Sequence, residues 1–147
     1  MEKTLVIGYG NTLRRDDGAG PEVARRVAEL GLPNVKVVEA HQLLPEHAEL
    51  LSRFDRAVFV DASVDEVPNP TGMETVTPDP SAELGSHAAD PAGMLALAQT
   101  LFGHAPEAWL VALPATDLGI GEGLSPTTEE AVEQAVAVMR DFCASPA

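Results

Sequence analysis

Residues 5–27 read LVIGYGNTLRRDDGAGPEVARRV, and this stretch decides the fold. Residues 5–7 form a short apolar run that is closed by Gly8, which is typical of a buried strand. Pro21 then begins a predicted helix that ends near Leu30, because proline is favoured in the first turn of a helix. A buried strand, a glycine-rich loop and an amphipathic helix together indicate the first unit of an α/β fold.

The rest of the chain continues this alternation of strands and helices. Further strands are predicted at 35–38, 57–60, 73–76 and 109–113, and further helices at 45–54, 91–103 and 126–142. Strands of Val, Ile and Leu without polar alternation fit a largely parallel sheet that helices cover on both faces. The sequence therefore predicts a single α/β domain over residues 1–147, with a long loop at 63–89 of the kind that is often functional.

The composition narrows the possible partners. The formal net charge is −14 over 147 residues, which argues against nucleic acid and anionic membranes, because both need a basic surface. The N-terminal apolar run is too short for a signal peptide or a membrane span, so we expect a cytoplasmic protein. A metal ion or a partner that carries cations is easier to accommodate.

The glycine loop has a nucleotide-binding alternative. Gly8 and Gly10 match the first two glycines of the GxGxxG fingerprint, but Leu13 stands where the third belongs. Asp16 and Asp17 would lie in the region that receives phosphate charge. A phosphate- or nucleotide-binding module is therefore the weaker interpretation.

The acidic residues favour a cation site instead. Asp61 ends the third predicted strand, and Asp17 follows the first. These strands are neighbours in the usual winding, about 5 Å apart, so both carboxylates can share one cation. Asp61 has a second interpretation, as a cap for its own loop. Asp16 has one as a solvated residue that pairs with Arg14 or Arg15.

A histidine completes the predicted ligand set. The segment 41–47, HQLLPEH, matches neither HExxH nor HxxEH, so a helical zinc-protease site is excluded there. His87 lies in the loop just before a capped helix and is the natural nitrogen ligand. One imidazole and two carboxylates suit nickel, zinc or iron(II).

With these motifs the chain resembles the hydrogenase maturation endopeptidases, which trim a C-terminal tail from the large subunit of nickel-iron hydrogenases. The resemblance rests on VIGYGNTLRRDDGAGPEVARRV, AVFVDAS, GSHAADPAGMLALAQ and WLVALPATDLGIGEGLSP, which begin at residues 6, 57, 85 and 109. It implies a three-layer α/β/α sandwich of the phosphorylase/hydrolase-like type. Its sheet would have five strands, mixed but mostly parallel, with 73–76 as the antiparallel one.

The resemblance also implies the chemistry. Asp17, Asp61 and His87 would be the nickel ligands and the catalytic residues, with the nickel supplied by the large-subunit precursor. The metal would either activate water or the scissile carbonyl, or only position the peptide while Asp17 or Asp61 assists proton transfer. A non-catalytic nickel-sensing chaperone of the large subunit is the alternative.

Candidate substrate contacts surround this predicted site: Gly10, Asn11, Asp16 and His41. We expect the glycines of the first loop to let a bulky substrate approach the backbone. The segment 39–47, EAHQLLPEH, departs from the glycine- and threonine-containing turn of better-known members of the family. The hydrogenase that is processed therefore stays open.

Overall fold

The computed structural model describes residues 2–65, 72–79 and 90–144. Its strands are β1 (Thr4–Tyr9), β2 (Val35–Ala40), β3 (Arg56–Ser63), β4 (Met73–Val76) and β5 (Glu107–Pro114). Its α-helices are α1 (Ala19–Glu29), α2 (Glu46–Leu51), α3 (Pro91–Phe102) and α4 (Pro126–Ala144). A single 3-10 turn, Arg15–Gly18, lies between β1 and α1.

The strands form one five-stranded sheet in the order β2-β1-β3-β5-β4. β1 is parallel to β2 and β3, and β3 is parallel to β5. β4 is antiparallel to β5, with Met73 opposite Val111. The predicted mixed, mostly parallel sheet is confirmed, including its one antiparallel strand. Because β1 and β3 are neighbours, the loops that follow them meet at one edge of the sheet.

Apolar side chains cover both faces of the sheet, which makes three layers. One core cluster joins alternate residues of β1 and β3, such as Val6 and Val58, to the buried sides of α1 and α4. The other joins the intervening residues, such as Ile7 and Phe59, to α2 and α3. This alternation follows from the two-residue period of a strand, and it confirms the predicted α/β/α sandwich.

Three helix boundaries differ from prediction by two residues or more, and one of them is the end of α4, which is Ala144 rather than residue 142. α1 begins at Ala19, two residues before Pro21. The first turn can contain this proline because the N–H that proline lacks would have no partner within the helix there. α2 ends at Leu51 rather than at residue 54. α3 begins as predicted: the Asp90 carboxylate accepts a hydrogen bond from the Ala92 N–H at 2.9 Å.

In the described ranges, no helix combines the length and the hydropathy that crossing a bilayer requires.

Candidate functional site

The site lies at the carboxyl ends of β1 and β3. Gly8 pairs with Val60 in the parallel register, so Tyr9 and Asp61, one residue further along, lie side by side. Asp17 belongs to the 3-10 turn that follows β1. The structure thus brings Asp17 and Asp61 together, because the turn that follows β1 and the last residues of β3 meet at the topological switch point of the sheet.

Asp61 is half-buried, and its electrostatic surroundings disfavour its charged form. Burial and, to a smaller extent, the charge of Asp17 raise the pKa of Asp61, which is about 6 when all its surroundings are counted. Hydrogen bonds from the Ala62 backbone N–H and the Tyr9 hydroxyl act in the opposite direction and lower the pKa. The two carboxylates are therefore close enough to repel each other, and a bound cation would relieve that repulsion.

Tyr9 is a neighbour of this site that the sequence analysis did not identify. Burial raises the pKa of the Tyr9 phenol well above its usual range, and the nearby carboxylates of Asp61 and Asp90 raise it further. The hydroxyl therefore keeps its proton and donates a hydrogen bond to the Asp61 carboxylate. The signal available in the sequence was the predicted pairing of the first and third strands, since a parallel register places residue 9 beside residue 61.

The loop backbone holds the Asp17 carboxylate in place. The Asn11 N–H donates a hydrogen bond to Asp17 Oδ2 at 2.7 Å. The Asn11 side chain accepts one from the Leu13 N–H at 2.9 Å, which closes a tight turn. Asn11 thus shapes the loop that orients Asp17, and its predicted contact with substrate stays a prediction.

Asp16 has a different place from the one predicted for it. Its side chain is completely buried. Its carboxylate accepts hydrogen bonds from the backbone N–H groups of Thr116, Asp117 and Ser125, at 2.9, 2.9 and 2.7 Å. The hydroxyls of Thr116 and Ser125 donate two more. The predictions of a substrate contact and of a solvated ion pair with the neighbouring arginines are therefore wrong: Asp16 joins the loop after β1 to the loop after β5.

The charge of Asp16 is stabilised where it is buried. Burial alone would raise the pKa of Asp16, but the hydrogen bonds from Ser125, Thr116 and Asp117 outweigh it and lower the pKa well below its usual value. A carboxylate that accepts several N–H groups behaves in this way because those bonds favour the charged form. Asp16 is therefore an anionic clamp between two loops.

Gly10 and His41 line one shallow cleft beside Asp17. Its volume is about 200 Å³, and its other lining residues are Thr12, Pro21, Glu39 and Ala40. His41 is exposed there, so its predicted contact with substrate stays open. Gly10 also has a structural reason that the sequence analysis did not identify. A Cβ at this position would lie 2.0 Å from the Asp17 carbonyl oxygen, so glycine makes room for the protein's own loop, and its predicted contact with substrate stays a prediction.

His87, the third predicted ligand, lies outside the described residues. Within 2–65, 72–79 and 90–144, no three His, Cys, Asp or Glu side chains are grouped so that they could hold a metal ion. The described part of the site supplies two carboxylates, and their oxygens are suitable donors for a divalent transition metal. Asp17 and Asp61 are therefore chemically suited to the ligand role predicted for them, and that role stays a prediction.

The chain is similar to known proteins in structure rather than in sequence. No protein-family model matches the chain, and no curated protein sequence matches it. The [NiFe] hydrogenase maturation protease HycI from Thermococcus kodakarensis KOD1 is similar in structure, with a TM-score of 0.74 and 22% identity, over 98% of this chain and 94% of that one.

Two structures from Escherichia coli are also similar. The hydrogenase maturating endopeptidase HybD gives a TM-score of 0.64 and 25% identity, over 95% of this chain and 93% of its own. A second structure, described as an endopeptidase, gives a TM-score of 0.66 and 26% identity, over 93% and 89%. The chain therefore has the fold of the hydrogenase maturation proteases, as its motifs predicted.

Proposed function

We propose that this chain is a nickel-dependent endopeptidase that removes a C-terminal peptide from the precursor of a [NiFe]-hydrogenase large subunit after nickel insertion. The fold it shares with proteins of that name supports the proposal. So do its sequence motifs, which extend over most of the chain. The single observation that carries it is the pairing of Asp17 with Asp61 at the switch point of the sheet.

That pairing concentrates two negative charges at one point of the sheet edge, which would attract a cation. Two carboxylates lie within interaction range, and one of them has a pKa of about 6 because it is half-buried and faces the other. A divalent ion that arrives with the substrate would be attracted by both charges and would relieve the repulsion between them. The protein would then engage only a precursor that already carries its metal.

The roles of the residues follow from this arrangement. Asp17, Asp61 and His87 would hold nickel that belongs to the substrate, and the ion would supply either Lewis-acid activation or a fixed anchor for the peptide. Tyr9 and the Ala62 N–H orient the Asp61 carboxylate, and the Asn11 N–H orients that of Asp17. Either carboxylate, when it is not bound to metal, would be the group that accepts a proton from an attacking water.

The test is the mass of a large-subunit precursor from the same source, before and after incubation with this protein. The precursor is supplied nickel-loaded in one arm and nickel-free in the other. We expect the loss of a C-terminal peptide from the loaded form alone. Processing of both forms would contradict nickel dependence, and processing of neither would contradict the peptidase assignment.

One further outcome separates the alternative function. A nickel-dependent complex with the precursor, in which neither mass changes, would favour the non-catalytic chaperone. The Asp17→Asn variant tests the site, and Asp65→Asn is its matched control. Asp65→Asn removes the same charge from an exposed residue just beyond the end of β3. Only the first should abolish processing.

A further inference from the structure

Large apolar side chains are exposed around the candidate site. Among the described residues, eight large hydrophobic side chains are exposed, and four of these lie in the loops that follow β1, β2, β3 and β5: Leu13, Leu44, Val64 and Ile120. All four loops leave the same edge of the sheet, where Asp17 and Asp61 lie. Exposed apolar side chains that cluster around a site commonly mark a protein-binding surface.

Leu13 and Ile120 are the most strongly connected of these residues. They are 59% and 92% exposed. Gly121, next to Ile120, donates its N–H to the Leu13 carbonyl at 2.8 Å, and the Arg15 N–H donates to the Gly121 carbonyl at 3.0 Å. The two side chains therefore project from adjacent loops that a short parallel bridge holds together.

The Asp16 clamp makes this pair of loops a firm support. Its buried carboxylate binds Thr116 and Asp117 on one side of Ile120 and Ser125 on the other. Loops fixed in this way lose little further conformational entropy when they bind, which favours affinity. An isoleucine that is nearly fully exposed on a fixed loop is therefore well suited to enter a recess in another molecule.

Leu13 is also continuous with the candidate site. Its N–H binds the Asn11 side chain, and the Asn11 N–H binds the Asp17 carboxylate. A partner that covers Leu13 and Ile120 would therefore extend over the edge of the acidic site itself.

The charge of this face indicates the kind of partner. Asp17, Asp61 and Glu122 are not ion-paired in the described structure, whereas Asp117 lies 3.7 Å from Arg15. A second copy docked here would bring two sets of carboxylates together on chains that each carry a net charge of −14. Like charges across an interface oppose association, so the fitting partner is a different protein that brings positive charge to this edge.

We propose that Leu13 and Ile120 form a docking contact that enters an apolar recess of the protein substrate, beside the cationic segment that reaches Asp17 and Asp61. This inference rests on the proposed function and adds to it a contact outside the predicted metal site. It makes substrate capture depend on the folded surface of the partner as well as on its metal.

The experiment measures the kinetics of cleavage of the nickel-loaded precursor by Leu13→Ser, Ile120→Ser and the double variant. We expect the KM of the double variant to rise about tenfold or more, with kcat within a factor of two, since exposed anchors contribute to binding and not to the reacting atoms. Leu101→Ser is the control: Leu101 is 61% exposed, near the end of α3. Its KM should stay within a factor of two of the wild type.

The outcomes are distinguishable. The conservative changes Leu13→Met and Ile120→Leu should retain the wild-type KM, and all variants should keep the wild-type melting temperature. An unchanged KM in the double serine variant, with active wild-type protein, would overturn the docking contact alone. An equal rise in KM for Leu101→Ser would also overturn the docking contact. So would a change in the oligomeric state of the isolated protein when Leu13 and Ile120 are replaced by serine. A wild-type protein that neither binds nor cleaves the precursor would overturn the proposed function, and the docking contact with it.

Discussion

Ser125 donates two hydrogen bonds to the carboxylate of Asp16, one from its backbone N–H and one from its hydroxyl, both at 2.7 Å. Ser125 directly precedes α4, and Asp16 lies in the turn before α1. The contact therefore joins the starts of two helices that pack on the same face of the sheet. The two adjacent aspartates have different roles: Asp16 holds the two loops together, and Asp17 faces Asp61.

Asp16→Asn should destabilise the protein strongly. The amide cannot accept all the hydrogen bonds that Thr116, Asp117 and Ser125 donate, and its NH₂ group would face donors. We expect a loss of about 3 kcal/mol or more in the free energy of unfolding at pH 7. Chemical denaturation measures it. Glu122→Gln, which changes the same charge on an exposed residue of the loop after β5, should alter stability by less than about 0.5 kcal/mol.

The direction of the pKa shift of Asp16 determines how the stability difference between the wild type and Asp16→Asn depends on pH. The folded-state pKa of Asp16 lies below its usual value of 3.8, so its contribution to stability is present above that pH. It is lost as the pH falls towards the lower, folded-state pKa. The gap between wild type and Asp16→Asn should therefore be full at pH 7 and shrink below about pH 4. A gap that stays constant down to pH 2 would contradict the assignment of the clamp to the charged carboxylate.

Asp61→Asn should stabilise the metal-free protein while it removes function. The folded-state pKa of Asp61 is raised from 3.8 to about 6, so the relative stability it contributes is present below pH 3.8 and lost as the pH rises through 6. At about 1.4 kcal/mol per pH unit, the charged form at pH 8 costs up to about 3 kcal/mol, which asparagine avoids. Thermal unfolding between pH 4 and pH 8 measures the difference. Asp65→Asn, on an exposed residue, should leave the pH profile unchanged.

Tyr9→Phe should weaken the site without unfolding it. The phenol donates a hydrogen bond to Asp61, and this bond lowers the pKa of that carboxyl. Its removal should raise the pKa of Asp61 above about 6, which an NMR titration of the carboxyl measures. Groups that orient a metal ligand typically contribute about 10–100-fold in metal affinity or activity, and we expect a loss in that range. An unchanged pKa in the variant would contradict the hydrogen bond.

The sequence was sufficient for the fold because its signals are local. Apolar runs, Pro21 and the Asp90 cap predict the strands and helices, and the periodicity of the apolar residues predicts which sides are buried. The pairing of β1 with β3 then brings the turn that holds Asp17 next to Asp61. The role of Asp16 was not predictable in the same way. Its partners lie about a hundred residues away, and three of its five hydrogen bonds come from backbone N–H groups, which carry no sequence signature.

The glycines show the same limit. Their spacing predicted a loop that admits a ligand, whereas a Cβ at Gly8 or Gly20 would meet backbone atoms of the protein itself, at 2.1 and 2.4 Å. Spacing along the chain identifies a backbone that must approach something closely. It does not say whether the approaching group belongs to a substrate or to the neighbouring helix.

Gly20→Ala should therefore separate α1 from the sheet. Its Cβ would lie 2.4 Å from the Val60 carbonyl oxygen and 2.6 Å from that of Tyr9, and these backbone atoms have little freedom to move. We expect a destabilisation of about 1–3 kcal/mol or more, by overpacking. Gly119→Ala is the matched control, because its Cβ would meet only side-chain atoms of Asp117 and Arg15, at 3.1 and 3.8 Å. Equal melting temperatures for the two variants would contradict the close contact.

Asp17→Asn and His87→Ala should both abolish precursor processing and leave the fold intact. Asp17 is half-buried and does not bear on the core, so asparagine can keep the hydrogen bond from the Asn11 N–H while it loses the charge that attracts a cation. The melting temperatures should stay within a few degrees of the wild type, and the mass of the nickel-loaded precursor should not change on incubation. His47→Ala is the control for the histidine, since the His47 ring accepts a hydrogen bond from the Leu44 N–H and takes no part in the predicted ligand set. Full processing by both Asp17→Asn and His87→Ala would show that the cleavage does not depend on the predicted metal ligands.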